Sequence, residues 1–466
     1  MARTQQTRQT RRLFSTAIAT IKQHGIAVGV LAALVLITAY PVIQRLIGGL
    51  GPSTDVTNQV PWGLWVIFYV YFVGMSAGAA LISTLSYVFN LQVFDSIRRA
   101  ALVVALLGLA FGGLFIGFDI GRWDRLFSTF IFFHWTSALS WEIRFFFLYI
   151  IVLAVMLIVD IRLTLGKSAH PDRARSVLKG FGIALIPIAL LGVLGSEAMI
   201  FSTNSTRPMW YGPMLPLVFI ISSVMAGAAI LIVIAYVHER SQQRQLKRQD
   251  GQDRQGRRDI AVAAPFTTAP LIAALGKILL TFTFIDMLVS TFEYCVPLLA
   301  GESAELTVIR WTTTGPWAWV FWGLYIAVGL VGTAAILLSR FGRSSHGILT
   351  AAICALIGVL AIRFTIVIPP QIPRLLSGFP AGEFAPTLSE WLVAVCFISL
   401  GVLLYVLATA FLPIHPHDCT ASAGSQLSAH SDSVSMSPDS TSENLDSTGD
   451  NALAAAATFS SDQGDK

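Results

Sequence analysis

The sequence predicts an all-α membrane protein with about ten transmembrane helices, forming two parallel four-helix bundles with one flanking helix at each end. The first reason is composition: 55% of the residues are hydrophobic and only 12% are charged. A soluble chain carries roughly 25% charged residues. The second reason is that apolar runs of spanning length recur along the chain. The third is an internal duplication, described below.

The apolar runs fall at about residues 26–47, 62–90, 100–118, 139–161, 178–201, 213–237, 268–292, 316–339, 346–368 and 389–412. Basic residues concentrate in every second connection, whereas the other connections are acidic or near neutral. Under the positive-inside rule the basic connections are cytoplasmic. Both termini are therefore expected in the cytoplasm.

This topology divides the chain into six segments. No cleavable signal peptide stands out in the sequence. The run at 26–47 is long enough to remain as a spanning helix, and the Ser/Asp/Ala-rich tail has no apolar period and is expected to be disordered. The segments are a basic cytoplasmic N-terminus (1–25), a first transmembrane helix (26–47), a first four-helix bundle (62–201), a second four-helix bundle (213–368), a last transmembrane helix (389–412) and the cytoplasmic tail (419–466).

Three pairs of segments match in the same order and predict a parallel repeat. Residues 62–87 align with 211–236 and share an Ala-Gly-Ala-Ala block, residues 134–152 align with 310–328, and residues 190–197 align with 356–363. Glu142 and Arg144 correspond to Ala318 and Val320 of the second copy, and Glu197 corresponds to Arg363. Most of the acidic chemistry at the aligned positions is kept in the first bundle, which is the better candidate for a site.

Several polar side chains fall at the helix ends that this topology places outside. Ionised groups at membrane depth are costly unless paired or hydrated, so they are functional candidates. A second interpretation stays open, in which Glu142 and Arg144 mark a helix end at the headgroup level, His134 is an exposed loop residue and the tryptophans form the interfacial belt. The candidates are Asp119, Arg122, His134, Ser140, Trp141, Glu142, Arg144 and Glu197.

The chemistry of these residues suits a quinone better than a metal centre. The eight histidines lie in loops, at helix ends or in the tail, so axial pairs for a b-type haem are not expected. The four cysteines are scattered without a Cys-x-x-Cys motif, which argues against an iron–sulfur cluster or a zinc site in this chain. The net charge of +5 comes from a few basic loops and does not indicate a nucleic-acid partner.

A quinone needs an apolar slot, hydrogen-bond donors and titratable groups. The sequence offers Asp119, Glu142 and Glu197 as proton acceptors, and it offers donors and a ring wall in Arg122, His134, Ser140, Arg144 and Trp141.

The motifs VPWGLWVIFYVYFVGMSAGAA, FDIGRWDR, SALSWEIRFFFLY, IFSTNSTRPMW and RFTIVIPPQ, in this order, resemble the NrfD/PsrC family. The nearest likeness is to its ten-helix branch, which includes the membrane subunit of periplasmic hydrogenase and DsrP-type proteins, and it extends over roughly residues 45–415. The resemblance implies a subunit of the bacterial inner membrane without haem. It also implies menaquinone or ubiquinone near the outer face of the first bundle.

The same resemblance implies two protein partners, a periplasmic ferredoxin-like iron–sulfur subunit and a catalytic subunit. Asp119 and Arg122 match the family's Asp-x-Gly-Arg element, and Glu142 matches the acidic position after the Ser-Trp pair. Hydrogenase-type members carry a histidine about where this chain reads Gly195-Ser196-Glu197. Either Glu197 takes over that proton-handling role or the role lies elsewhere.

The resulting hypothesis is a quinone-reactive membrane anchor of a multisubunit oxidoreductase, of molybdopterin/iron–sulfur or hydrogenase type, that is not catalytic alone. Two alternatives remain: a secondary transporter, or a structural anchor without an active quinone site. Transporters tend to have polar sites at the midplane and often inverted repeats. The parallel repeat and one-sided polar groups predicted here favour the quinone hypothesis.

Overall fold

A computed structural model describes residues 25–122, 125, 128–166, 168–253, 269–374, 378, 380–412 and 414. In that part of the chain, ten helices are long and apolar enough to cross a membrane, which confirms the predicted all-α membrane fold. The predicted N-terminal segment up to residue 24 and the predicted disordered tail lie outside the described residues. The helices are α1 (Gly25–Gly48), α2 (Leu64–Tyr87), α3 (Arg98–Asp119), α4 (Ala138–Thr164), α5 (Pro171–Ser202), α6 (Met214–Arg244), α7 (Ala269–Ala300), α8 (Val320–Leu338), α9 (Ser345–Gln371) and α10 (Leu388–Phe411).

Several of these helices begin at side chains that satisfy the free backbone N–H groups of a helix N-terminus. The hydroxyl of Ser137 accepts from the N–H of Ser140 at the start of α4. At the start of α10, Thr387 and Glu390 form a reciprocal capping box. These caps fix where α4 and α10 leave the connecting segments.

Helix α5 changes its hydrogen-bonding pattern in the middle of the span. Pro187 lies inside the helix and the π-helical segment Ile188–Gly195 follows it directly. Proline removes a backbone N–H and clashes with the preceding turn, so a helix must kink or widen there. The α-helical pattern resumes at Ser196, and the wide segment therefore ends just before Glu197 and its neighbour Ser196.

The centre of the molecule is formed by α2, α6 and α9, whose most apolar windows are 89%, 78% and 67% buried. Helix α2 crosses α6 at Gly78 and Gly227. A Cβ atom on Gly78 would lie 1.9 Å from the carbonyl oxygen of Ser223, and one on Gly227 would lie 2.3 Å from the carbonyl carbon of Gly78. Small residues let transmembrane helices approach to backbone contact, and these two glycines do so.

The crossing of α2 and α6 brings together positions that are equivalent in the predicted repeat. Gly78 and Gly227 occupy the same place in the two Ala-Gly-Ala-Ala blocks, and Gly74 faces its counterpart Ser223. A parallel repeat related by a two-fold axis between α2 and α6 would produce these contacts. The grouping into two four-helix bundles stays a prediction.

Connections that the charge pattern assigns to the outside meet at one end of the helices, here termed the predicted outer end. It includes residues 49–63, 203–213, 372–374 and 380–387. The side-chain amide of Gln371 exchanges two hydrogen bonds with the backbone of Trp62, at 3.0 and 3.1 Å. Arg207 donates to the carbonyls of Gln59 and Gln371, both at 2.8 Å. These contacts fix the ends of α2 and α9 against each other.

Candidate functional site

Glu142 and Tyr69 form a buried polar pair between α4 and α2. Glu142 lies in the second turn of α4, downstream of the Ser137 cap, and is only 3% exposed. The hydroxyl of Tyr69 donates a hydrogen bond to Oε1 of Glu142. Glu142 therefore points into the protein. It is not the exposed side chain that a plain marker of a helix end would be.

Glu197 of α5 lies beside this pair. Its side chain is 0% exposed, and neither carboxylate oxygen has a hydrogen-bond partner. It interacts electrostatically with Glu142 and with Arg363 of α9. Two predicted acceptors, Glu142 and Glu197, are thus brought into one buried region. A buried polar group without a hydrogen bond is costly, so such positions point to water or a ligand.

Arg363 is the fully buried cation of this region. Its Nη2 donates to the carbonyl oxygen of Phe219 at 3.3 Å and to the hydroxyl of Ser223 at 3.1 Å. The guanidinium also lies over the ring of Phe219, 4.2 Å from its centroid. A Cβ atom on Gly74 would lie 3.1 Å from Nη2, so the glycine leaves room for the guanidinium.

A second acidic cluster lies on the other side of Arg363. Oδ2 of Asp286 accepts a hydrogen bond from Tyr325 at 3.1 Å, and the Tyr325 hydroxyl lies 2.5 Å from the hydroxyl of Ser290. Asp286 interacts electrostatically with Arg363 and with Glu293, about two helical turns further along α7. Oδ1 of Asp286 and Oε2 of Glu293 have no hydrogen-bond partner.

Glu293 lines a small pocket near the predicted outer end. The wall contains Trp210, Val308, Thr312 and Pro370. The pocket lies between α7, α9 and the short helix Ser303–Thr314. It belongs to the second set of helices.

Asp119 is placed in a different environment from Glu142. Its electrostatic neighbours are Arg45 of α1 and Glu390 of α10. Arg45 is buried and donates to the carbonyl oxygens of Phe118 at 2.7 and 3.0 Å and of Ile120 at 3.0 Å, where α3 ends. Among the described residues, neither a hydrogen bond nor an ion pair joins Asp119 to Glu142.

The remaining candidates lie at the rim of the predicted outer end. His134 and Arg122 are exposed, and Nδ1 of His134 lies 2.9 Å from the hydroxyl of Thr136. The indole of Trp141 donates to the carbonyl oxygen of Trp135 at 2.9 Å. Arg144 is partly buried, donates to the carbonyl oxygen of Ser140 at 2.6 Å and lies over the ring of Phe133. Along the chain these residues lie on α4 or in the connection before it, and only Ser140 among them is buried.

Sequence reasoning missed Tyr69 as a partner of Glu142, because it lies in an aromatic apolar run with no polar neighbour to mark it. It noted Arg363 as a polar residue of a later helix and as the residue aligned with Glu197, but did not predict that the two interact. The residues of each pair, Tyr69 with Glu142 and Arg363 with Glu197, are far apart in the sequence, so no local pattern predicts that they interact. The first pair joins α2 to α4, and the second joins α9 to α5.

A family model for NrfD, described as polysulphide reductase, matches residues 52–373. The chain belongs to the NrfD family. The matched segment contains Glu142, Glu197, Asp286 and Arg363, whereas Arg45 and Glu390 lie outside it. The buried carboxylates of Glu142, Glu197 and Asp286 therefore lie within the matched segment, whereas α1 and α10 lie outside it.

Three relatives of this NrfD-family chain cover most of its length. A selenate reductase subunit of Mesobacillus selenatarsenatis is 26% identical over 428 residues, 83% of this chain and 93% of the relative. The Hdr-like menaquinol oxidoreductase integral membrane subunit of Archaeoglobus fulgidus is 24% identical over 406 residues, 84% and 94%. A protein of Escherichia coli named "Probable Ni/Fe-hydrogenase 2 b-type cytochrome subunit" is 25% identical over 393 residues, 82% and 91%.

Proposed function

We propose that this NrfD-family chain is the quinone-reactive membrane subunit of a multisubunit oxidoreductase. The observation that carries the proposal is the buried pair of Tyr69 and Glu142 with the unpartnered carboxylate of Glu197 beside it. The names of two relatives add support, one being a menaquinol oxidoreductase membrane subunit and the other a selenate reductase subunit.

Quinol oxidation releases two protons and two electrons, so a site needs proton acceptors near the ring hydroxyls and a route for electrons. In the proposed site Glu142 accepts a proton, and Tyr69 holds its carboxylate in place by a hydrogen bond. Ser140 and Arg144 contribute polar groups near the same end of α4, and the rings around Trp141 form an apolar wall. The same groups would serve quinone reduction, with each proton moving in the opposite direction.

The candidates further from Glu142 have different roles in the proposal. Arg122, His134 and Trp141 line the entry from the predicted outer end. Asp119, enclosed by Arg45 and Glu390, handles protons apart from the ring. In the proposal the quinone is menaquinone or ubiquinone, and the chain holds no haem and no iron–sulfur cluster of its own.

The electrons require a partner, which we take to be a periplasmic ferredoxin-like iron–sulfur subunit joined to a catalytic subunit. The chain would then lie in the bacterial inner membrane with both termini in the cytoplasm, and the predicted outer end would face the periplasm. A secondary transporter would place its polar groups at the midplane. Glu142 and Glu197 instead lie near the ends of α4 and α5, which disfavours that alternative.

The test is quinol-dependent electron transfer by the purified complex, comparing the wild type with Glu142→Gln. Glutamine keeps the size of the side chain but cannot accept a proton, so turnover should be abolished while the complex still assembles. The matched control is Glu383→Gln, which changes an exposed carboxylate at the same end of the molecule. Normal turnover of Glu142→Gln would refute the assignment of Glu142, and an assembled wild type that binds no quinone analogue would refute the function.

A further inference from the structure

Arg363 lies between two acidic clusters on different sets of helices. Glu197 of α5 belongs to one cluster and Asp286 of α7 to the other, and both interact electrostatically with the guanidinium. All three side chains are at most 1% exposed. Arginine stays charged in proteins, and a buried charge requires compensation by nearby groups. Arg363 is therefore the shared counter-ion of both clusters.

Arg363, Glu197 and Asp286 are here termed the junction, and several of their polar atoms make no direct hydrogen bond. Nε and Nη1 of Arg363, both carboxylate oxygens of Glu197 and Oδ1 of Asp286 have no hydrogen-bond partner. Nε and Nη1 together carry three N–H groups, and Glu197 and Asp286 together have three carboxylate oxygens without a partner. The number of free N–H groups equals the number of free carboxylate oxygens, but no direct hydrogen bond joins them.

A polar contact longer than a hydrogen bond is commonly bridged by water. Buried water molecules typically make about three hydrogen bonds to groups that would otherwise be unsatisfied. The unpartnered atoms of Glu197, Arg363 and Asp286 are such groups. The junction therefore has the chemistry of a site for bound water.

The junction continues in both directions through further acidic side chains. Glu142 interacts electrostatically with Glu197, and Glu293 interacts with Asp286 and lines the pocket beside Trp210 and Thr312. The row Glu142, Glu197, Asp286 and Glu293 thus runs from the proposed quinone site to a cavity in the other set of helices.

We propose that Glu197, Arg363 and Asp286 form a water-binding junction through which protons pass between Glu142 and the pocket at Glu293. The inference rests on the proposed function for its source of protons. It assigns a role to the second set of helices, whose aligned positions have lost the acids of the first.

The proton balance is simple. When a quinol O–H bond breaks, its proton binds the Glu142 carboxylate, and the electrons leave separately to the iron–sulfur partner. The proton then moves through bound water to Glu197, to Asp286 and to Glu293, and leaves to bulk water at the pocket. Each carboxylate returns to its starting state, and Arg363 neither gains nor loses a proton. Two such transfers accompany each quinol that becomes a quinone.

The test uses the whole complex in nanodiscs and two variants, Asp286→Asn and Glu293→Gln, with Glu383→Gln as the control. Each substitution removes a proton acceptor remote from the proposed ring position and preserves side-chain size. We expect quinol turnover to fall tenfold or more, with a larger solvent deuterium isotope effect and an unchanged dissociation constant for a quinone analogue. Glu383→Gln should match the wild type in all three measurements.

A second measurement does not depend on turnover. High-resolution cryo-electron microscopy of the wild-type complex should show water density within hydrogen-bond distance of Nη1 of Arg363 and a carboxylate oxygen of Glu197. A dry junction would overturn the inference, as would normal turnover and isotope effects in both variants. If the wild type binds no quinone analogue, the proposed function fails, and the density still decides whether the junction binds water.

Discussion

The hydroxyl of Tyr69 donates a hydrogen bond to Glu142 and joins α2 to α4 through two buried side chains. The bond connects the most buried span of the molecule to a peripheral one. It holds the carboxylate inside the protein, where the proposed chemistry needs it. Nearby, Trp141 and Arg144 donate instead to backbone carbonyls of α4 and its preceding loop.

Removing this bond tests whether the position of Glu142 matters. Tyr69→Phe keeps the ring and deletes only the donor, so the complex should assemble normally. A hydrogen bond to a charged group contributes about 1.5–3 kcal/mol, so quinol turnover should fall roughly tenfold or more. Tyr71→Phe, two residues along the same helix and outside the cluster, is the control. Equal turnover in both variants would show that Tyr69 does not position Glu142.

The contact between Gly78 and Gly227 predicts that a larger residue at Gly78 would disturb the crossing of α2 and α6. Gly78→Ala places a methyl group against the backbone of α6, so it should destabilise the protein by about 1–3 kcal/mol. Gly113→Ala is the control, because its Cβ would meet nothing within 4 Å. That change should be neutral or stabilise the helix by about 0.5–1 kcal/mol. Thermal unfolding in detergent measures both, and equal stability would contradict the close crossing of α2 and α6.

Two ion pairs with very different exposure test how burial changes the contribution of an ion pair to the stability of the protein. Asp160 is fully buried and lies 2.7 Å from Arg98 and 3.4 Å from Arg99. Asp172 pairs with Arg175 at 2.9 Å, but the two side chains are 92% and 67% exposed. Removing one partner of a buried pair costs about 3–5 kcal/mol, whereas an exposed pair contributes about 1 kcal/mol or less.

Asp160→Asn should therefore lower the stability of the detergent-solubilised protein far more than Asp172→Asn does. Denaturant or thermal unfolding of the two variants provides the comparison. A similar small loss in both would show that Arg98 and Arg99 find other partners when Asp160 is neutral.

The absence of haem is a separate prediction, because one relative is named as a b-type cytochrome subunit. A haem in a membrane span is held by axial side chains, commonly histidines. The described histidines are His134, His170, His238 and His346, and they lie at helix ends or connections except His238, near the predicted inner end of α6. Reduced-minus-oxidised absorption spectra of the purified chain should show no haem band. A stoichiometric haem would contradict the prediction and require a new search for its ligands.

The number and order of the spans could be predicted, because each requires about 20 apolar residues. The residues at which the helices begin and end could not be predicted as closely. The run at 268–292 stops at a charged residue, yet α7 continues to Ala300, since Glu293 lies against a pocket and does not end the helix. Helix α5 begins at Pro171, ahead of the apolar run, because a polar first turn extends beyond the membrane-spanning part.

The candidate site was only partly accessible to sequence reasoning. Glu142 and Glu197 stood out as acids near helix ends, and both are buried in one region. Asp119 carried the same signal, but spacing along α3 could not reveal that it faces Arg45 and Glu390. The sequence could show Arg363 only as the residue aligned with Glu197. An alignment of two repeats does not reveal which positions are neighbours in space. Only the packing of the helices brings Arg363 of α9 within electrostatic reach of Glu197 of α5.

The central claim is that a quinone binds beside Tyr69 and Glu142. The most direct measurement is photo-crosslinking of the assembled complex in nanodiscs with a photoreactive quinone analogue, followed by peptide mapping with and without excess natural quinone. We predict labelling of the α2 segment around Tyr69 and the α4 segment around Glu142 that the natural quinone suppresses. Suppressible labelling confined to α7–α9, or no suppressible labelling anywhere, would contradict the account.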